Sequence, residues 1–151
     1  MLEAFTSLLS SLAPALGLSD IALQDGEPAC LLGIDDFEVS LRYLPGSDLV
    51  MLFTVVAPLP DEGREKLYAD LLDANTFFRH TQGFTLAARE DTGVTLQGVM
   101  PMRVLDGSNV AVWLQNFIDV AAHWQSVCVK EERGENTEAP SDVFLQDMLR
   151  V

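Results

Sequence analysis

Phe37-Glu38-Val39-Ser40-Leu41-Arg42-Tyr43-Leu44-Pro45-Gly46-Ser47-Asp48-Leu49-Val50-Met51-Leu52-Phe53-Thr54-Val55-Val56-Ala57 decides the fold. Its first eight residues alternate, with Phe37, Val39, Leu41 and Tyr43 on one face and Glu38, Ser40 and Arg42 on the other. That two-residue period belongs to a half-buried strand. Pro45-Gly46-Ser47-Asp48 then forms a turn. Leu49 to Ala57 is nearly continuous in apolar and β-branched residues, which predicts a central strand covered on both faces.

Outward from this pair, the period changes to that of helices. Residues 2–16 place Leu2, Phe5, Leu8, Leu9, Leu12 and Leu16 at helical spacing, with Thr6, Ser7, Ser10 and Ser11 between them. Pro14 should fray the last turn and Gly17 end it. Ile21 to Gln24 and Cys30 to Ile34 are extended in character, broken by Asp25-Gly26-Glu27-Pro28, and read as one irregular strand or a tight hairpin. Downstream, Pro60-Asp61-Glu62-Gly63 opens a second helix with acidic residues at its positive end. That helix carries Leu67, Tyr68, Leu71 and Leu72 and ends near Asn75, with Phe77-Phe78 in the loop beyond. Phe84 to Arg89 and Val94 to Val104 are strands joined at Glu90-Asp91-Thr92-Gly93, and Pro101 marks an edge or a bulge. Asp106-Gly107-Ser108-Asn109 caps a long helix from about Val110 to Lys130, striped by Trp113, Leu114, Phe117, Ala121, Trp124 and Cys128. The order is α-β-β-β-α-β-β-α, an α+β domain over residues 1–130. Residues 131–140 read as an acidic linker, and Ser141 to Val151 as a short amphipathic segment.

Composition narrows the class of function. The chain has 151 residues, room for one core. Nine basic against 23 acidic residues leave a net charge of −14, with only two lysines, Lys66 and Lys130. Phosphate backbones and anionic lipid surfaces both need clustered cations, so nucleic acid and membrane are not expected partners. The start of the chain lacks the basic opening of a signal peptide, and the longest apolar run is too short to span a bilayer. Cys30 and Cys128 stand apart, outside any CxxC pattern, and read as buried hydrophobes of a reducing compartment. The expected location is the cytoplasm.

Residues fit for chemistry are scarce. His80 lies in a loop, and His123 follows Asp119 by four residues on the third helix, a natural surface pair. Nothing supplies the three or four ligands a metal needs. No GxSxG, HExxH, P-loop or strand-linked GxGxxG occurs. The reading is of a protein that is not an enzyme and uses no cofactor. Trp113, Phe117 and Trp124 could line a small-molecule pocket, but their helical spacing favours core. Hydrophobic residues make up 48% of the chain. The first and third helices can cover one sheet face. The strand faces carrying Val39, Leu41, Leu96 and Met100 are then expected to need a partner, a second copy or the second helix. Sheet edges can also accept an extended peptide.

With these elements in order, the chain resembles the type III secretion chaperones of the Tir-chaperone (CesT-like, class I) type. The resemblance rests on the element order and the acidic entry to the second helix. It rests also on Leu71-Leu72-Asp73-Ala74-Asn75-Thr76-Phe77-Phe78, on Gly83-Phe84-Thr85-Leu86-Ala87 beside Asp91-Thr92-Gly93, and on Leu105-Asp106 before the last helix. It covers roughly residues 2–130. It implies a twisted antiparallel sheet with helices one and three on one face and the second helix at a homodimer interface, pointing to Leu67, Tyr68, Leu71, Leu72, Leu96 and Val99. It further implies that an extended N-terminal region of a secreted effector wraps round the dimer, with Leu2, Phe5, Leu9, Leu12, Leu32 and Val39 as client-binding positions. The client would be kept soluble and competent for export, and the complex recognised by the export apparatus. The alternative is a regulatory or sensory protein-binding domain of similar α/β fold with no link to secretion.

Overall fold

The computed structural model describes residues 2–132. Helix α1 spans Leu2–Ala15 and is followed by strands β1 (Ala29–Ile34), β2 (Phe37–Leu44) and β3 (Leu49–Ala57). Helix α2 (Arg64–Asn75) runs into a 3₁₀ turn at Thr76–Phe78; β4 (Thr85–Arg89) and β5 (Gly93–Pro101) follow, then a second 3₁₀ turn and α3 (Gly107–Glu132). The five strands form one antiparallel sheet in the order β1-β2-β3-β5-β4. This is the α+β order read from the sequence.

Register divides the sheet into two faces. Val39 lies opposite Thr54, Leu41 opposite Leu52 and Tyr43 opposite Val50. Opposed residues share a face, so the alternating strand and the continuous one point the same set inward. Leu96 and Met100 join them across β5, and Cys30 and Leu32 across β1. Helices α1 and α3 cover this inner face. Phe5 of α1 stacks on Tyr43 with ring centroids 5.8 Å apart, and Phe84 meets Trp113 and Phe117 of α3 at 6.4 and 5.1 Å. The strand face with Val39, Leu41 and Leu96 therefore needs no partner, for all three are fully buried within one chain.

Several local expectations change. β3 is covered on one face only: Val50, Leu52 and Val56 are buried, while Leu49, Met51 and Phe53 are half-buried and Val55 is exposed. Ile21 to Gln24 forms no strand. A tight turn forms instead, in which the Gln24 N–H donates to Ala29 O and the Glu27 N–H to Gln24 O. β5 ends at Pro101, where β4 no longer flanks it, so the missing proline donor breaks no ladder. Asp119 accepts a hydrogen bond from Gln115, and His123 turns its ring against the edge of Trp124 rather than to Asp119. α3 runs on to Glu132, so the first two residues of the expected linker 131–140 are helical; the rest of it and the segment 141–151 lie outside the described residues.

The helix ends follow from the residues at them. Gly17, at φ 70°, closes α1 with a Leu18 N–H to Ala13 O bond and a Gly17 N–H to Pro14 O bond, the paired arrangement that satisfies last-turn carbonyls. At α3, Asp106 Oδ1 accepts from the backbone N–H groups of Ser108 and Asn109, both at 2.9 Å, and Asn109 Oδ1 returns a bond from the Asp106 N–H. Gly107 lies where α1 passes, and a Cβ there would fall 2.6 Å from the Ser11 Cβ. The Ser108 hydroxyl and the two amides hold the Asp106 carboxyl below the usual carboxylate range. A lowered carboxylate pKa stabilises the fold above its ordinary value near 4, and that contribution is lost as pH falls through the lowered native value. Asp106→Ala should therefore lower the melting temperature at neutral pH and flatten its decline on acidification, measured by circular dichroism.

Candidate functional site

The two edges of the sheet are treated differently by the sequence. At β4, Asn75 of α2 stands in for a neighbouring strand. Its Nδ2 donates to Leu86 O and its Oδ1 accepts from the Leu86 N–H, both at 2.8 Å. Leu67, Leu71 and Ala74 bury the inner side of α2 beside this edge. An open strand edge is a template for pairing, and here a side-chain amide with one donor and one acceptor occupies it at Leu86.

At β1 the edge stays open. The Tyr43 N–H donates to Pro28 O at 2.8 Å, which fixes the alternation along the pair. Even-numbered residues of β1 turn their amides to β2, and Ala29, Leu31 and Gly33 turn theirs outward. Gln24 takes the Ala29 carbonyl. Leu31 and Gly33 have no backbone partner on that side among the described residues, and both are exposed. Beside this edge lies a groove of about 540 Å³ lined by Leu2, Leu23, Asp25, Glu27, Pro28 and Tyr43.

The outer sheet face forms a second surface. Met51 sits opposite Val99 and next to Arg42, and Phe53 lies between Ser40 and Gln97. Val99 is 57% exposed and Leu31 47%. On α2, Leu72 is 70% exposed. Just beyond it Phe77 and Phe78 adopt left-handed backbone at φ 58° and 55°, and both are exposed. Left-handed backbone costs a bulky residue about 1–2 kcal/mol, so the fold holds these residues outward at some expense in stability.

Against this surface, the expected site residues separate. Of the client-binding set, Leu2 is exposed and lines the groove, whereas Phe5, Leu9, Leu12, Leu32 and Val39 are buried in the core. Of the interface set, Leu72 and Val99 are exposed and Tyr68 is half-buried, while Leu67, Leu71 and Leu96 are buried inside the chain. Met51, Phe53 and Val55 fall outside the expected sets because β3 was expected to be covered on both faces, and Leu31 because the irregular segment Cys30 to Ile34 offered no assignment of faces. The sequence reading also missed Asn75, which it took only as a helix end. Among the described residues no group of three or more His, Cys, Asp or Glu side chains could hold a metal. Burial pushes the Cys30 thiol up to about 11, leaving it protonated and poorly reactive. No helix in the described residues is long and apolar enough to cross a membrane.

The chain belongs to the Tir chaperone protein (CesT) family, whose sequence profile matches residues 7–125. Solved structures agree on the fold. A chain of the crystallised ExsC–ExsE complex matches with a TM-score of 0.73 at 23% identity, over 85% of this chain and 96% of that one. A chain of the HopA1–SchA chaperone–effector complex gives 0.68 at 16% identity, covering 83% and 95%. The Yersinia pestis type III secretion chaperone SycH, solved with a fragment of YscM2, gives 0.64 at 23% identity, covering 79% and 98%. No curated protein matches the chain at the sequence level.

The Asn75 closure is open to test. Asn75→Ala leaves the Leu86 amide and carbonyl unpaired in a half-buried setting, which should cost about 1–3 kcal/mol in chemical denaturation. A variant as stable as the parent would mean that water replaces both bonds.

Proposed function

We propose that this protein is a homodimeric cytosolic chaperone. It binds an extended N-terminal segment of a type III secreted effector and keeps that segment soluble and fit for export. The observation that carries the reading is membership of the Tir chaperone family across residues 7–125. Structural neighbours from the HopA1–SchA chaperone–effector complex and the SycH chaperone complex support it through their fold.

The mechanism needs no nucleotide or covalent step. The client pairs as an added strand with the outward amides of Leu31 and Gly33. Alternate side chains reach the groove at Leu2, Leu23 and Tyr43, as in strand-addition recognition generally. Pairing holds the client extended and hides its apolar residues from other chains. Ordering such a segment costs a few kcal/mol, which the burial of roughly 1,000–3,000 Å² offsets. The chain's own core residues, among them Phe5, Leu9, Leu12, Leu32 and Val39, then shape the floor beneath the docking surface rather than touch the client.

A second copy covers α2 and the later strands. Leu72 and Val99 are the expected contacts, with the half-buried Tyr68 beside Leu72; Leu67, Leu71 and Leu96 support them from within. Recognition of the loaded dimer by the export apparatus is part of the same reading. Residues 133–151, beyond α3 and the matched family region, are an acidic extension in this proposal.

Two experiments bear on it. In light scattering, Leu72→Glu combined with Val99→Glu should convert a dimer to a folded monomer, and a parent protein already monomeric would sink the dimer. Gly33→Pro removes an outward N–H without breaking the β1–β2 ladder, a place where an edge strand tolerates proline. It should leave the melting temperature nearly unchanged yet abolish co-purification with the N-terminal region of an effector encoded beside it. Undiminished co-purification would rule out strand addition at β1.

A further inference from the structure

The part of the chain that builds α1, β1 and β2 is strongly acidic, and five of its carboxylates flank the open edge. Residues 1–48 hold eight carboxylates and one guanidinium, a net charge of −7, half of the chain's −14 in under a third of its length. The one cation, Arg42, is already engaged, with its Nη1 2.7 Å from Glu27 Oε2. Asp25 and Glu27 stand in the turn before the Ala29 end of β1, and Asp35 and Asp36 form the turn at its Ile34 end. Glu38 lies opposite Gly33 on the outer face. Asp25, Asp35, Asp36 and Glu38 are all exposed, and none is in an ion pair among the described residues.

We infer that the strand accepted by β1 is cationic, with apolar residues at alternate positions and Lys or Arg where it passes the two ends of β1. The inference rests on the edge being the docking site proposed above and adds the chemistry of the occupant. β1 has six residues and spans about 20 Å, so the two acidic ends lie more than a Debye length apart at physiological salt. One cationic residue at each end, about six residues apart, answers both. A third, placed beside Gly33 and pointing to the outer face, meets Glu38. Inward-pointing alternates enter the apolar part of the groove at Leu2, Leu23 and Tyr43.

The same charges argue against self-occupation. A second copy pairing edge to edge would bring like charges together at both turns, a device by which edge strands avoid their own kind. Residues 131–151 carry six carboxylates and two guanidiniums, a net −4, so this segment is repelled as well. A basic client is the occupant that the field attracts, and steering of this kind acts chiefly on the rate of association.

The test uses the full chain and three synthetic peptides of about twelve residues sharing one alternating apolar core, with Lys, Ser or Glu at the two flanking positions. Binding is followed by fluorescence anisotropy at about 50 and about 500 mM NaCl, between which the Debye length shrinks several-fold. The Lys peptide should bind about tenfold or more tighter than the Ser peptide at low salt, lose most of that advantage at high salt, and exceed the Glu peptide by still more. Combining Asp25→Asn, Asp35→Asn, Asp36→Asn and Glu38→Gln should erase the preference. Asn suits the left-handed φ of 51° at position 35, so the turn survives. Equal binding of the three peptides, no binding of the Lys peptide, or an undiminished preference in the quadruple variant would each overturn the inference. Retained effector co-purification by that variant, with loss in Gly33→Pro, would overturn the charge rule alone and leave the strand-addition reading intact.

Discussion

Helices α1 and α3 seal one face of the sheet and leave Met51, Phe53, Val55 and Val99 on the other, among polar neighbours. Everything else in the molecule depends on that imbalance. Phe5, Leu9 and Leu12 of α1 and Trp113, Leu114 and Phe117 of α3 pack over Val39, Leu41, Leu52 and Leu96 and bring that face to near-complete burial. The chain therefore has an ordinary core for its length. Met51, Phe53, Val55 and Val99 are surplus to it. Burial of such side chains is worth about 25 cal/mol per Å² of apolar area, and that gain is still available to a partner.

The edges complete the division of labour. α2 contributes Leu67, Leu71 and Ala74 to the core, and at its last residue, Asn75, supplies the two hydrogen-bonding groups that a sixth strand would have brought to Leu86. Among the described residues, the opposite edge receives only Gln24, at Ala29. One edge is thus occupied by a helix side chain at Leu86, and the other is left receptive at Leu31 and Gly33. The receptive side is the one ringed by carboxylates, a combination that keeps identical edges apart while leaving room for a different strand.

Most of the fold was legible because periodicity reports burial directly. The two-residue period of Phe37 to Tyr43 and the 3.6-residue stripes of α1 and α3 each had one interpretation. β3 was harder. Leu49 to Ala57 carries apolar residues on both faces, and sequence alone does not distinguish a face covered by its own chain from a face meant for another. The same ambiguity displaced the client-binding set. Phe5, Leu9 and Leu12 form the strongest stripe in the N-terminal helix, and that strength is what commits them to the core. Leu2, one turn earlier and at the helix end, escapes burial. Asn75 could not be read as an edge closure from sequence, because its partner, Leu86, is eleven residues away across a turn whose path depends on two left-handed phenylalanines.

Both tryptophans of the chain border that same connection between α2 and β4. Trp124 donates its indole N–H to the His80 carbonyl at 3.1 Å, and Trp113 stacks on Phe84. Neither lines the groove beside β1. Intrinsic ultraviolet emission from this protein is consequently a natural gauge of how α2 is tethered to the sheet, silent to events at the far edge unless they propagate across all five strands.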